Sequence, residues 1–204
     1  MLISDLKSQI NSEVLSQFQA IYYWINDVGE ILDVTNPNQI LSRKNFLIIA
    51  IYSANEYIVE HTIELFFSKI YDKMETEQGS KMYIDYNRGI LKRIINNNHS
   101  GKIISNQEML AELIGSVDSK RIFSNIKSKL ASDYDLLSSE LGMFKGFRDS
   151  IAHSSVKFFT DAAGSQLTVY PNSDIINRLK KLEGIWILFC ECLYDELGLF
   201  YRIP

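Results

Sequence analysis

Two cysteines, three histidines and three prolines among 204 residues exclude several kinds of protein at the outset. Cys190 and Cys192 lie two apart inside an apolar helical run, where their Cβ directions diverge. This argues against a disulfide between them, and both read as buried thiols. Cys and His form no close cluster of the kind a structural zinc site needs, so neither metal nor cofactor is expected. With ten glycines and 46% hydrophobic residues, the composition is neither collagen-like nor disordered. No apolar run reaches the roughly 18 residues of a membrane span. The segment MLISDLKSQINSEV lacks the basic and continuous apolar parts of a secretory signal, so the expected compartment is the cytoplasm. The net charge of −4 gives no long-range attraction to nucleic acid or anionic lipid, so any polyanion site must be a local patch.

What is present is helical periodicity. Leu2, Leu6, Ile10, Val14, Phe18, Ile21, Tyr22, Ile25, Val28 and Leu32 recur at steps of three and four and predict a helix over 3–33. The segment VTNPNQILS breaks the pattern, with Asn36 restrained by Pro37 and Ser42 available as a cap. A second helix, 43–74, is apolar around much of its circumference and should be central; Glu56, Glu60 and Glu64 form one stripe on it, which also reads as a solvated face. A third, 80–96, has Met82, Tyr86, Ile90, Ile94 and Ile95 as its apolar side, and ends in the Asn-rich loop holding His99. Helices follow at 106–114 and 118–130, the latter with Lys120, Arg121, Lys127 and Lys129 on a face that either touches RNA or simply solubilises. Leu136, Leu137, Leu141, Phe144, Phe147 and Ile151 mark a helix from 133 to 152 or 153. At 156–170 the period changes, and VKFF and QLTVY around TDAAGS predict a small hairpin or irregular excursion. A last helix, 174–198, is capped by Asn172 or Ser173 and terminated by Gly198. No repeat or linker divides the chain, so 1–204 reads as one all-α domain with Trp186 and Phe189 in its core.

One compact polar group stands out: Lys145, Arg148, Asp149, Ser150, His153 and Ser154. Asp149 and His153, four apart, share a helix face, whereas Arg148 lies about 7.5 Å along the axis from His153 and about 140° around it. The two could still converge on a large target such as a phosphodiester. Guanidinium binds its nonbridging oxygens through a fork, and imidazole moves protons near neutral pH. The same spacing equally suits an Asp149–His153 pair that merely ends a helix favourably.

The stretch FRDSIAHS, Phe147 to Ser154, resembles the signature of the HEPN superfamily, in which an arginine and a polar residue precede a histidine. SANEYIVEHTIELFF resembles that family's early helix, with Glu56 at the position of its acidic residue. The resemblance spans 3–198 and is nearest to stand-alone members with toxin or defence roles. It implies a helical bundle acting as a metal-independent endoribonuclease and a homodimer whose motifs face one another. Arg148 would steady the phosphate, His153 would help activate the 2′-hydroxyl, Asp149 and Glu56 would complete the site, and Lys145, Ser154 and Lys157 would contact RNA. Products would carry 2′,3′-cyclic phosphate and 5′-hydroxyl ends. The acidic charge and the 156–170 excursion favour a specific folded RNA, or one held by a partner such as an antitoxin or defence protein. A noncatalytic module of the same fold, binding RNA, nucleotide or a companion protein, is the competing reading.

Overall fold

In the computed structural model the backbone is described for residues 2–31, 37–76, 81–97, 103–153 and 172–203. The side chains described are those of the same residues except 27–31, 37–45, 96–97, 103–105, 147, 150–153 and 172–175. These residues form seven helices and no strand: α1 (Ile3–Ile31), α2 (Pro37–Thr76), α3 (Lys81–Asn97), α4 (Ile103–Ile114), α5 (Ser116–Leu130), α6 (Ser132–His153) and α7 (Asn172–Tyr201). The all-α bundle expected from periodicity is therefore present, while the predicted hairpin at 156–170 and the loop holding His99 lie outside the described residues.

The apolar stripe of α1 is buried from Leu6 to Ile21 and Ile25 in register with its three-and-four spacing, but at its start Ile3 faces inward and Leu2, expected there, is exposed. It packs chiefly on α7 and α2. Ile3 meets Gly198, Lys7 Nζ lies 2.6 Å from Asp195, and Asn11 donates to Glu191 at 2.7 Å. Rising numbers on α1 thus meet falling numbers on α7, and the pair is antiparallel.

α2 is the central helix, touching α1, α3, α4 and α6. Its links to α7 are aromatic, between Phe66 and Tyr194 and between Phe67 and Tyr201, and also polar. Trp186 Nε1 donates to Asn55 Oδ1 at 2.7 Å, Asn55 Nδ2 donates to the Ile51 carbonyl at 2.8 Å, and Tyr194 Oη donates to the Thr62 carbonyl at 2.9 Å. All these polar groups are buried, where an unpaired donor would cost about 1–3 kcal/mol. Trp186 and Phe189 are completely inaccessible, as their place on the apolar face requires.

Several sequence expectations need correction. α2 begins at Pro37, not after Ser42, so Ser42 is an interior residue. Proline suits a first turn because its missing N–H has no intrahelical acceptor there. Gly198 does not end α7, which runs to Tyr201. The stop is made by Arg202 at φ 53, with Ile203 N–H on the Gly198 carbonyl at 2.9 Å and Arg202 N–H on the Leu199 carbonyl at 3.4 Å. This is the Schellman pattern with arginine in the left-handed position. On α3 the buried residues are Ile84, Leu91 and Ile94, while Met82 and Tyr86 are exposed. The burial of those three residues sets the rotation, and Arg88 pairs with Asp72 and Glu75 of α2 at the edge of the buried face. Of the two cysteines only Cys190 is fully buried; Cys192, about 200° further round the helix, is partly exposed.

The short helices are joined tightly. Gly115, at φ 92, closes α4 through its N–H on the Ala111 carbonyl and opens α5 by accepting from Ser119 N–H. A side chain there would be strained. Among the described residues no helix is long and apolar enough to cross a membrane.

Candidate functional site

Leu137, Leu141 and Phe144 form the buried stripe of α6, and the next position in that three-and-four series is 148. The stripe therefore ends on an arginine where an apolar side chain would continue it. This is why Arg148 lies against α2 with 32% of its side chain exposed. Glu140, on the same helix and nearly buried, is held from α7 by a two-pronged bond from Arg178: Nε to Oε2 at 2.8 Å and Nη2 to Oε1 at 2.5 Å. That clamp fixes α6 two turns before the site.

The guanidinium of Arg148 has its described polar partners on two sides. Nη1 donates to Asp149 Oδ1 at 2.8 Å, and Asp149 Oδ2 lies 2.5 Å from Lys145 Nζ, one turn back on α6. Nη2 donates to Tyr52 Oη on α2 at 3.1 Å. The guanidinium carbon also sits 4.3 Å from the centre of the Tyr52 ring, within the range of a cation–π contact. Tyr52 Oη in turn donates to Glu56 Oε1 at 3.1 Å. A chain of bonds thus runs from Arg148 through Tyr52 to Glu56.

Tyr52 is the buried member of this set, at 3% exposure. Its hydroxyl is pushed up to about 12, first by burial and then by the Glu56 carboxylate, with Arg148 opposing. It is a neutral donor at any physiological pH. Its own turn of α2 is held in rotation by Asn55, through the Trp186 bond.

Of the residues singled out in sequence, Arg148, Asp149, Lys145 and Glu56 are brought together, with Glu56 linked to Arg148 by way of Tyr52. The side chain of His153, the last residue of α6, and residues Ser154 and Lys157 lie outside those described. Tyr52 was missed because a tyrosine in an apolar run reads as core. The available signal was its position four residues before Glu56, within reach on one helix face.

The basic face of α5 is largely occupied. Arg121 pairs with Asp118, Lys127 pairs with Asp135 and lies over the Tyr134 ring, and Lys129 pairs with Glu196. On the other flank of α2, a cleft of about 400 Å³ against α1 is lined mainly by Trp24, Phe46, Leu47 and Tyr57, and is mostly apolar. Among the described residues no three His, Cys, Asp or Glu side chains are grouped as a metal site. Compared with known proteins, the chain matches no family model, no curated protein and no solved structure.

Proposed function

We propose that this protein is a metal-independent endoribonuclease of the HEPN type, active as a homodimer in a toxin–antitoxin or antiviral defence setting. The observation that supports it best is the meeting of the two segments singled out in sequence: Arg148 of α6 and Glu56 of α2 are bound to the same Tyr52 hydroxyl. Nothing in the spacing of residues 96 positions apart requires the arginine and the tyrosine to meet.

In this mechanism His153 takes the proton of an RNA 2′-hydroxyl as its oxygen attacks the adjacent phosphorus. The bond from phosphorus to the 5′-oxygen breaks, and that oxygen leaves with a proton supplied by the site of the partner subunit or by water. Arg148 binds the nonbridging oxygens and is most effective as charge builds on them. The products are a 2′,3′-cyclic phosphate and a 5′-hydroxyl. Lys145, Ser154 and Lys157 extend the phosphate-binding surface.

A noncatalytic binding module is the second reading, favoured by one observation: both arms of the Arg148 fork are already engaged, by Asp149 and by Tyr52. A phosphate would have to use the N–H groups of the fork that these two partners do not take.

Cleavage of transfer, ribosomal and messenger RNAs in excess chelator separates the two. The nuclease reading expects cyclic phosphate and 5′-hydroxyl ends, with His153→Ala slower by roughly 10²–10⁴ at unchanged thermal stability. Products with 3′-hydroxyl and 5′-phosphate ends, or undiminished cutting by His153→Ala, would overturn it. Binding without cutting across the panel would favour the module.

A further inference from the structure

Tyr52 occupies a position that neither packing nor solvation explains by itself. A phenylalanine would fill the same space against Arg148. The hydroxyl, however, uses its capacity in two directions, accepting from Arg148 Nη2 at 3.1 Å and donating to Glu56 Oε1 at 3.1 Å. The ring face adds a third restraint, 4.3 Å from the guanidinium carbon. Together these fix the tilt, the height and the rotation of the fork.

Burial also decides what Tyr52 cannot do. At 3% exposure it has almost no surface with which to touch RNA, whereas Arg148 keeps about a third of its side chain accessible. The described path from Glu56 to Arg148 runs through this hydroxyl. The direction of that path is set because the phenol stays protonated and so must donate to Glu56, leaving its lone pairs for Arg148.

We propose that Tyr52 is a positioning residue, which holds the Arg148 guanidinium at the angle needed to receive a phosphodiester and through which Glu56 acts on the site. The part concerning phosphate rests on the nuclease reading; the holding of Arg148 does not. A fork held in advance loses less freedom when a phosphate arrives, and misorientation costs most in the transition state. Tyr52 should therefore affect kcat more than KM.

The test uses the full chain with Tyr52→Phe, Tyr52→Leu and, as a control, Tyr194→Phe. The control also loses a buried hydroxyl, that on the Thr62 carbonyl, but lies elsewhere in the core. Two readouts are taken. The first is the rate at which phenylglyoxal modifies Arg148, followed by mass spectrometry. It should rise about tenfold in Tyr52→Phe, further in Tyr52→Leu, and not at all in Tyr194→Phe. The second is RNA cleavage, where kcat should fall about ten- to a hundredfold in Tyr52→Phe with a smaller change in KM, and Tyr194→Phe should match wild type. Unchanged Arg148 reactivity in Tyr52→Phe would overturn the proposal, as would equal effects of Tyr52→Phe and Tyr194→Phe. If wild type cuts no RNA, the nuclease reading fails, and the modification rates still decide whether Tyr52 holds Arg148.

Discussion

Ile3 and Gly198 touch so closely that a Cβ built on residue 198 would lie 2.8 Å from Ile3 Cγ1 and 2.9 Å from Cδ1. Glycine here is a packing residue that lets α1 and α7 approach. Gly198→Ala should destabilise by about 1–3 kcal/mol through overpacking, less up to about 1 kcal/mol returned by helix propensity. Gly184, on the same helix with open space around it, is the internal comparison. Gly184→Ala should raise the urea midpoint and Gly198→Ala lower it; the same sign for both would remove the packing argument.

The junction of α5 and α7 should be sensitive to acid. Burial alone would raise the Glu196 carboxyl, but hydrogen bonds from Asn125 at 2.8 Å and Lys129 at 2.7 Å bring it below the usual carboxylate range. A depressed native value means stability that is present above the unfolded pKa, about 4.3, and is lost as pH falls through the native one. Lys129 is half-exposed, so the contribution should be about 1 kcal/mol. Urea midpoints of wild type and Glu196→Gln should differ at pH 7 and converge on acidification. A gap that persists at pH 3 would contradict the assignment.

The two thiols should differ in reactivity. Burial pushes Cys190 up to about 12, outweighing its contact with Thr62 Oγ1 at 3.4 Å. Burial also raises Cys192, but that side chain is partly accessible. With a disulfide reagent at pH 8, Cys192 should react slowly and faster as pH rises, and Cys190 only as the protein unfolds. A native Cys192→Ser variant that still reacts promptly would show Cys190 to be accessible.

Arg148→Lys should rescue little of what Arg148→Ala loses. An ammonium keeps the charge but cannot span Asp149 Oδ1 and Tyr52 Oη with a planar fork. If the nuclease reading holds, cleavage by the lysine variant should remain within about tenfold of the alanine variant. Near wild-type turnover would mean that charge alone suffices.

What could be read from sequence followed from periodicity, and what could not depended on neighbours. The inward faces of α1 and α7 were legible because their apolar residues outnumber any alternative stripe, as with Phe18 and Trp186. α3 carries Met82, Tyr83 and Tyr86 outside its buried stripe of Ile84, Leu91 and Ile94, and the seven-residue step from Ile84 to Leu91 was the local signal for the inward face. Gly198 looked like a terminator because glycine ends many helices, and only the presence of Ile3 reveals its other use. Arg148, Asp149 and Glu56 could be selected as chemical groups, whereas Tyr52, between two of them, becomes visible only when α6 is laid on α2.

The polar rungs between α2 and α7 also bear on synthesis. Asn55 waits for Trp186, 131 positions later, and Thr62 for Tyr194, 132 positions later. After Thr76 completes α2, roughly 125 residues remain before Tyr201 completes α7, or about 6–25 s at about 5–20 residues per second. For that interval α2 can already pack on α1, but its buried Asn55 amide has no Trp186 to meet. The Asn55 side chain acts as a sorting mark: its oxygen, left unpaired, penalises burial against any other greasy surface, and it accepts Trp186 only when α7 arrives in the right phase.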